Sequence, residues 1–142
     1  MERAASFNLI LENVIKENWN RYSLSDYGEN NFQYKDVARI IEKIHIVFGE
    51  CGIKKGDKIA LCGKNSSRWG ISFFACLTYG AVAVPILHEF HSEQIHHIVN
   101  HSEASILFVD EKIYNTLSTE QMNKLKGVID LKDFSLLMSN DE

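Results

Sequence analysis

The segment Ser67–Tyr79 predicts a helix whose apolar side chains lie all round its axis. The residues concerned are Trp69, Ile71, Phe73, Phe74, Ala75, Cys76, Leu77 and Tyr79. A helix without a polar face has to be covered on both sides. Two short apolar runs, Lys58–Cys62 and residues 81–86, flank this helix and predict buried strands. A strand, a buried helix and a second strand in so short a unit favour a right-handed crossover between parallel strands.

The chain after residue 86 continues this alternation of strand and helix. Residues 105–109 predict a third strand and residues 128–131 a fourth. Ser92 is the expected N-cap of a helix with one apolar stripe, and residues 112–126 predict a further helix. The stripe consists of Ile95, Ile98 and Val99. We therefore predict an α/β fold of the Rossmann-like type, with a mainly parallel sheet flanked by helices.

The N-terminal part adds two helices and a hairpin to the predicted sheet. Residues 6–18 carry an apolar stripe at helical spacing, and so do residues 35–51, where Gly49 and Gly52 mark the end. Between them, residues 22–34 hold two short runs rich in aromatic and polar residues around the turn sequence GENN. We divide the chain into residues 1–34, the N-terminal helix and hairpin, and residues 35–142, the α/β sheet unit.

Composition and charge exclude several classes of protein. The 142 residues suit one domain, and 45% hydrophobic and 24% charged residues are typical of a chain that buries a core. A net charge of −4 argues against a nucleic-acid binder, and the sequence lacks the run of ~18 apolar residues that a membrane helix needs. Cys51, Cys62 and Cys76 form no C-x-x-C pair, which favours reduced thiols in a cytoplasmic protein. Peripheral attachment to a membrane stays an alternative.

The sequence GKNS, from Gly63 to Ser66, looks at first like a phosphate-binding loop. A Walker loop requires G-x-x-x-x-G-K-[ST], but here Lys58 stands five positions before Gly63 and Asn65 follows the lysine. The dinucleotide fingerprint G-x-G-x-x-G is missing as well. We therefore favour a plain turn followed by a helix that Asn65 or Ser66 caps.

Several blocks of the chain resemble the AMP-forming adenylating superfamily, which comprises acyl-CoA synthetases, luciferases and nonribosomal peptide adenylation domains. The blocks are FQYKDV at 32–37, KGDKIAL at 55–61, KNSSRW at 64–69, ACLTYGAVAVPI at 75–86, SEQI at 92–95 and ILFVD at 106–110. FQYKDV resembles the first core motif of that superfamily, and VPI lies in the second. Asn65 followed by Trp69, with VPI and SEQI after them, looks most like bacterial long-chain fatty acid–CoA ligases.

The resemblance implies an enzyme that joins a fatty acid to ATP and passes the acyl group to CoA, with Mg²⁺ as the metal. The superfamily grips ATP with a Ser/Thr/Gly-rich loop ending in Pro-Lys-Gly, and it carries a catalytic lysine in a small C-terminal domain. The chain contains neither, so we expect an N-terminal fragment of a longer enzyme, inactive alone and without bound ATP, CoA or Mg²⁺. We accordingly assign no catalytic, cofactor-binding or metal-binding residue. His88 and Glu89 also depart from the family pattern after VPI.

Two other interpretations stay open. The chain could be a stand-alone α/β interaction module that keeps the adenylating scaffold without chemistry, or a fragment of an aryl or amino acid adenylating relative. We also expect the fragment to form a homodimer, because the helix Ser67–Tyr79 would lack the cover that further chain supplies. The alternative is that the hairpin and the N-terminal helix fold back over this surface.

Four further groups of residues have a simpler structural explanation than a functional one. His97 and His101 share a helix face, but Ile98 stands where the H-E-x-x-H motif has glutamate, so we expect helix surface there and not a zinc site. Ser66, with His88 and Asp110 as partners, lacks the G-x-S-x-G context of a nucleophile. We expect Cys62 and Cys76 to be buried and inert, and Trp69 and Phe73 to belong to the core and not to a fatty-chain pocket.

Overall fold

The computed structural model of the protein describes residues 2–25 and 31–139. The helices are α1 (Glu2–Glu17), α2 (Tyr34–Glu50), α3 (Ser67–Tyr79), α4 (Ser92–Ser102) and α5 (Glu111–Tyr114), with a 3₁₀ helix at Thr119–Met122. The strands are β1 (Tyr22–Ser25), β2 (Asn31–Gln33), β3 (Lys58–Cys62), β4 (Val82–Ile86), β5 (Ile106–Val109), β6 (Gly127–Asp130) and β7 (Leu136–Ser139). No helix within the described ranges is long and apolar enough to cross a bilayer.

Five strands form one sheet in the order β4-β3-β5-β6-β7. The first four are parallel, and β7 runs antiparallel to β6. This confirms the predicted α/β fold with a mainly parallel sheet, and β3, β4 and β5 are neighbours as expected. The strands β1 and β2 form a separate antiparallel pair, as the predicted hairpin requires. Its turn, at residues 28–30, lies outside the described residues.

The two faces of the sheet bury separate apolar cores. On one face, Ile59 and Leu61 of β3 pack with α2 and α3; on the other, Ala60 and Cys62 pack with α4. The helix α3 follows β3 and α4 follows β4, so successive crossovers lie on opposite faces of the sheet. This is the doubly wound arrangement. No side chain of α3 is exposed, because the sheet covers one side of this helix and α2 and α1 cover much of the other.

Strand β4 is not the buried strand that its sequence suggested, since it lies at the edge of the sheet and Val82 is 47% exposed. The backbone N–H of Val82 donates to the carbonyl of Asp57, on the β3 side. Because N–H groups alternate in direction along a strand, Pro85 occupies a position that faces the open edge. A proline is tolerated there because no ladder hydrogen bond is required of it.

The single helix predicted for residues 112–126 is wrong. The chain forms the short helix α5, a turn and the 3₁₀ helix instead. The Thr116 hydroxyl donates to the carbonyl of Ile113 (2.7 Å), and the Ser118 backbone N–H donates to Nε2 of His96 (2.9 Å). Both bonds compete with a continuous helical ladder. Met122 and Leu125, two apolar residues of the segment, are buried although the segment is irregular.

The N-cap of α4 is His91 and not Ser92, which is the first helical residue. The backbone N–H of His91 donates to Oε1 of Gln94 at 3.0 Å, so the residue three positions inside the helix satisfies the cap. The sequence pattern pointed to serine because its hydroxyl is the commoner cap. Strand β7 was not predicted at all, because its run LLMS does not alternate between apolar and polar residues.

Candidate functional site

Four parallel strands, β3 to β6, end at the same edge of the sheet. The segments that follow them line two neighbouring cavities, which we together call the edge cleft. Ligands of open α/β sheets bind outside the carboxyl ends of the strands, where successive crossovers lie on opposite faces. In this chain that point lies between β3 and its neighbours β4 and β5.

The loop after β3 contains Gly63 because the chain packs tightly there. A Cβ atom at Gly63 would lie 2.5 Å from Cδ1 of Leu131 and 3.0 Å from Oδ2 of Asp110. The glycine is therefore explained by contact with the segments after β5 and β6. The Asp110 carboxylate lies close to this loop. It therefore disfavours a phosphate there, because both groups carry negative charge.

The end of this loop is a helix cap. Oγ of Ser66 accepts a hydrogen bond from the backbone N–H of Trp69 at 3.1 Å, which satisfies one free donor in the first turn of α3. The prediction of a turn followed by a capped helix is confirmed, with Ser66 and not Asn65 as the cap.

One end of the edge cleft is predominantly apolar, and we call it the apolar lobe. Its volume is ≈ 530 Å³, and its lining consists of Gly63, Lys64, Asn65, Trp69, Pro85, Ile86, Leu87 and His88. The indole of Trp69 stacks on Phe73, with centroids 5.5 Å apart and planes 7° from parallel. Both side chains are half-buried and pack against the core, yet Trp69 also forms a wall of the cleft.

The other end, the charged lobe, has a volume of ≈ 650 Å³. Its basic residues are Lys64, Arg68, Lys112 and Lys132, and its acidic residues are Asp110, Glu111 and Asp130. The Asp130 side chain is buried, and its Oδ1 accepts from the backbone N–H of Lys132 at 2.8 Å. Lys64, Asn65 and His88 line both lobes and therefore join them.

Most of these charged residues were not singled out in the sequence, because they lie far apart along the chain. The signal that could have found them is position. Asp110 comes directly after β5, Asp130 ends β6, and the carboxyl ends of parallel strands meet at one edge.

Ser66, His88 and Asp110 all line the charged lobe, so the structure brings the dismissed triad residues to one cavity. In the part of the chain that the structure describes, no hydrogen bond joins any two of these three side chains. Ser66 is occupied as the helix cap, and Nε2 of His88 lies 3.9 Å from Oε1 of Glu89. The arrangement is therefore not that of an activated serine, which needs a base within hydrogen-bond reach.

The thiols of Cys62 and Cys76 are buried, and their surroundings disfavour the reactive thiolate form. Burial raises the pKa of Cys76 to about 12. Burial and, second, the negative charge of Asp110 raise the pKa of Cys62 to about 11. A thiol with so high a pKa is almost wholly protonated near neutral pH, and the thiolate is the nucleophile.

The histidines of α4 have different roles. His96 is buried, and its Nε2 accepts from the Ser118 N–H, so the neutral ring carries its proton on Nδ1. His97 and His101 are exposed.

Two features of the described residues bear on ATP and metal binding. The loop after β3 is a tight turn with its serine occupied, and Asp110 approaches it. In the part of the chain that the structure describes, no group of three or more His, Cys, Asp or Glu side chains could hold a metal ion. We therefore derive no chemical step through these groups from this chain.

The chain matches one protein family over almost its whole length. Residues 11–141 match the family model described as AMP-binding enzyme.

Among the curated relatives are a CoA synthetase and a CoA ligase. Long chain acyl-CoA synthetase 5 of Arabidopsis thaliana is 38% identical over 79 residues, which cover 56% of this chain and 12% of that protein. Crotonobetaine/carnitine–CoA ligase of Proteus mirabilis is 34% identical over 80 residues, which cover 56% of this chain and 15% of that protein. The chain thus matches only a small part of these relatives' own length.

Solved structures share the fold. Coronafacic acid ligase from Pectobacterium brasiliense superposes with a TM-score of 0.80 at 19% identity, covering 89% of this chain and 25% of that one. A long-chain-fatty-acid-CoA ligase from Archaeoglobus fulgidus superposes with a TM-score of 0.75 at 17% identity, covering 95% and 31%. The carboxyl edge of the sheet described above therefore belongs to a fold that these enzymes share.

Proposed function

The chain belongs to the AMP-binding enzyme family, and on this basis we propose that the whole protein is a long-chain fatty acid–CoA ligase. It would join a fatty acid to ATP, giving an acyl-adenylate and pyrophosphate. The acyl group would then pass to the thiol of CoA with release of AMP, which is a good leaving group. Mg²⁺ would accompany ATP, as metal ions do where charge develops on a transferred phosphoryl group.

The observation that carries this proposal is the set of relatives. Both sequence relatives described above act on a carboxylic acid and CoA by their names, and the one at 38% identity is a long-chain acyl-CoA synthetase. The fold supports the family and not the acid, because the solved structures are less than 20% identical and differ in the acid that their names give.

We propose that this chain serves as scaffold in that enzyme. It supplies a parallel sheet whose carboxyl edge opens into the edge cleft, and it leaves the ATP-binding and catalytic groups to further chain. On its own it would neither activate a fatty acid nor bind ATP tightly, because Ser66 caps α3 and Gly63 packs against Leu131 and Asp110.

An aryl or amino acid adenylating enzyme is the nearest alternative. A stand-alone interaction module without chemistry is the alternative from another class.

Pyrophosphate exchange into ATP, measured for the whole protein with a panel of acids, separates these possibilities. We expect exchange with palmitate and little with benzoate, anthranilate or free amino acids. Exchange with an aromatic or amino acid alone would identify the adenylating relative, and no exchange with any acid would favour the module.

The 142-residue chain is measured in parallel. We expect no exchange above the protein-free blank. Acid-dependent exchange by this chain would overturn the scaffold proposal without touching the choice of substrate.

A further inference from the structure

His97 and His101 lie side by side on the exposed face of α4. Their ring centroids are 5.8 Å apart, and the ring planes differ by 15°. Residues four apart on a helix share one face, so the two imidazoles are neighbours by backbone geometry alone. Their present rotamers already place the rings together, which reduces the side-chain entropy still to be lost when both bind one ligand.

The sequence led us to expect plain helix surface here, but on the ring geometry we propose that His97 and His101 bind one divalent transition-metal ion of the Zn²⁺, Ni²⁺ and Co²⁺ class. One nitrogen of each ring ligates the metal, and water fills the remaining positions. Neutral imidazole is a preferred ligand of these ions, whereas Mg²⁺ and Ca²⁺ prefer oxygen. The site is thus separate from the Mg²⁺ of the proposed reaction and does not depend on that reaction.

The opposite face of α4 holds the helix in place. Ile95 and Val99 are 1% and 2% exposed, and the buried His96 ring accepts the Ser118 N–H. The helix therefore does not have to fold when the metal binds. A preformed pair of ligands pays a smaller ordering cost than a pair on a mobile loop.

Each ring has one source of negative charge on its own helix. Glu93 lies one turn before His97 and lines a cavity of ≈ 350 Å³ together with it. His101 lies in the last turn of α4, where the free carbonyl ends of the helix carry partial negative charge. Both features favour a cation at this face. Because no third protein ligand joins them in the described residues, the metal keeps water ligands and exchanges readily.

The test uses the full chain without a polyhistidine tag. Ni²⁺ or Zn²⁺ is titrated near neutral pH, and the melting temperature and the histidine ring signals in NMR spectra are recorded. We expect a saturable rise of the melting temperature with one ion bound per chain, and no rise with Mg²⁺. Paramagnetic Ni²⁺ should broaden the ring signals of His97 and His101 before all others. Acidification should release the metal, because a protonated imidazole cannot ligate it.

Three single substitutions complete the test, two at the proposed ligands and one as the control. His97→Gln and His101→Gln should each weaken binding by about tenfold or more, because either change destroys the chelate. His91→Gln, at the exposed histidine that caps the opposite end of α4, should leave the affinity unchanged. Undiminished binding after His97→Gln or His101→Gln would overturn the proposal, and so would an equal loss after His91→Gln or no saturable binding at all.

Discussion

Gly63 lies in the edge cleft, where the loop after β3 packs against side chains that follow β5 and β6. We predict that Gly63→Ala destabilises the fold by ~1–3 kcal/mol, the usual cost of overpacking, because the new Cβ would lie 2.5 Å from Leu131. The matched control is Gly49→Ala in α2, where a Cβ meets no atom within 4 Å. That change should stabilise the protein by up to ~1 kcal/mol, because alanine is the better helix former. Urea unfolding of both variants checks this, and equal effects would contradict it.

The buried thiol of Cys76 should make the stability fall at alkaline pH. Its pKa is raised from 9.0 to about 12 by burial, so above pH 9 the unfolded state loses this proton while the folded state keeps it. The free energy of unfolding should therefore decrease above pH 9, by up to ~1.4 kcal/mol per pH unit for this group. Cys76→Ala should remove that part of the slope. Identical slopes for both proteins between pH 8 and 10.5 would refute the assignment.

The sequence predicted local roles better than convergent ones. The cap at Ser66 follows from a hydroxyl before a helical pattern, and the burial of Cys62 follows from its place in an apolar strand. Convergence at the edge cleft depends on strand order, which short-range patterns do not contain. Only the structure therefore showed that Asp110 and Lys132 line the same cavity.

At the scale of elements, the end of α4 offers a stability test. Glu103 follows the helix in the left-handed conformation, with φ 58°. We predict that Glu103→Gly stabilises the protein by ~0.5–1 kcal/mol, because glycine adopts this conformation without the steric cost of a Cβ. The loss of the ion pair with Lys124 should change the free energy of unfolding little. Nζ of Lys124 lies 3.7 Å from Oε1 of Glu103, and both side chains are mostly exposed.

Lys124→Gln is the control for this variant, because it removes the same ion pair and leaves the backbone conformation unchanged. Its effect should stay within ~0.5 kcal/mol in thermal unfolding. A lower melting temperature for Glu103→Gly than for Lys124→Gln would contradict the argument.

Elements with a regular pattern were predictable, and irregular ones were not. The limits of β3 and α3 agree with the prediction because their apolar runs are bounded by turn residues on both sides. The prediction of one helix at 112–126 was wrong because apolar residues of this segment reach the core from turns. Hydrogen bonds of the Thr116 hydroxyl and the His96 ring stabilise these turns. Residues 81–86 read as buried because an apolar edge strand and an apolar central strand have similar sequences.

At the scale of the whole molecule, we predict weak self-association, but not through the surface that the sequence suggested. The helix α3 is covered, and the large apolar side chains that are exposed lie elsewhere: Leu9, Ile10, Trp19, Ile46, Val82, Leu87 and Leu136. Reburying ~400 Å² of apolar surface would give a gross ~10 kcal/mol, and association costs of similar size oppose it. Light scattering should give a mass that rises above 16.3 kDa with concentration. A constant monomer mass would refute the prediction.

We propose that the AMP-binding enzyme scaffold of this chain belongs to a long-chain fatty acid–CoA ligase. The most direct test is to incubate the whole protein with ATP, Mg²⁺, palmitate and CoA and to quantify the products by liquid chromatography and mass spectrometry. We predict palmitoyl-CoA and AMP in equal amounts, with the acyl-adenylate accumulating when CoA is omitted. Formation of ADP instead of AMP, or AMP without any palmitoyl thioester, would contradict the account.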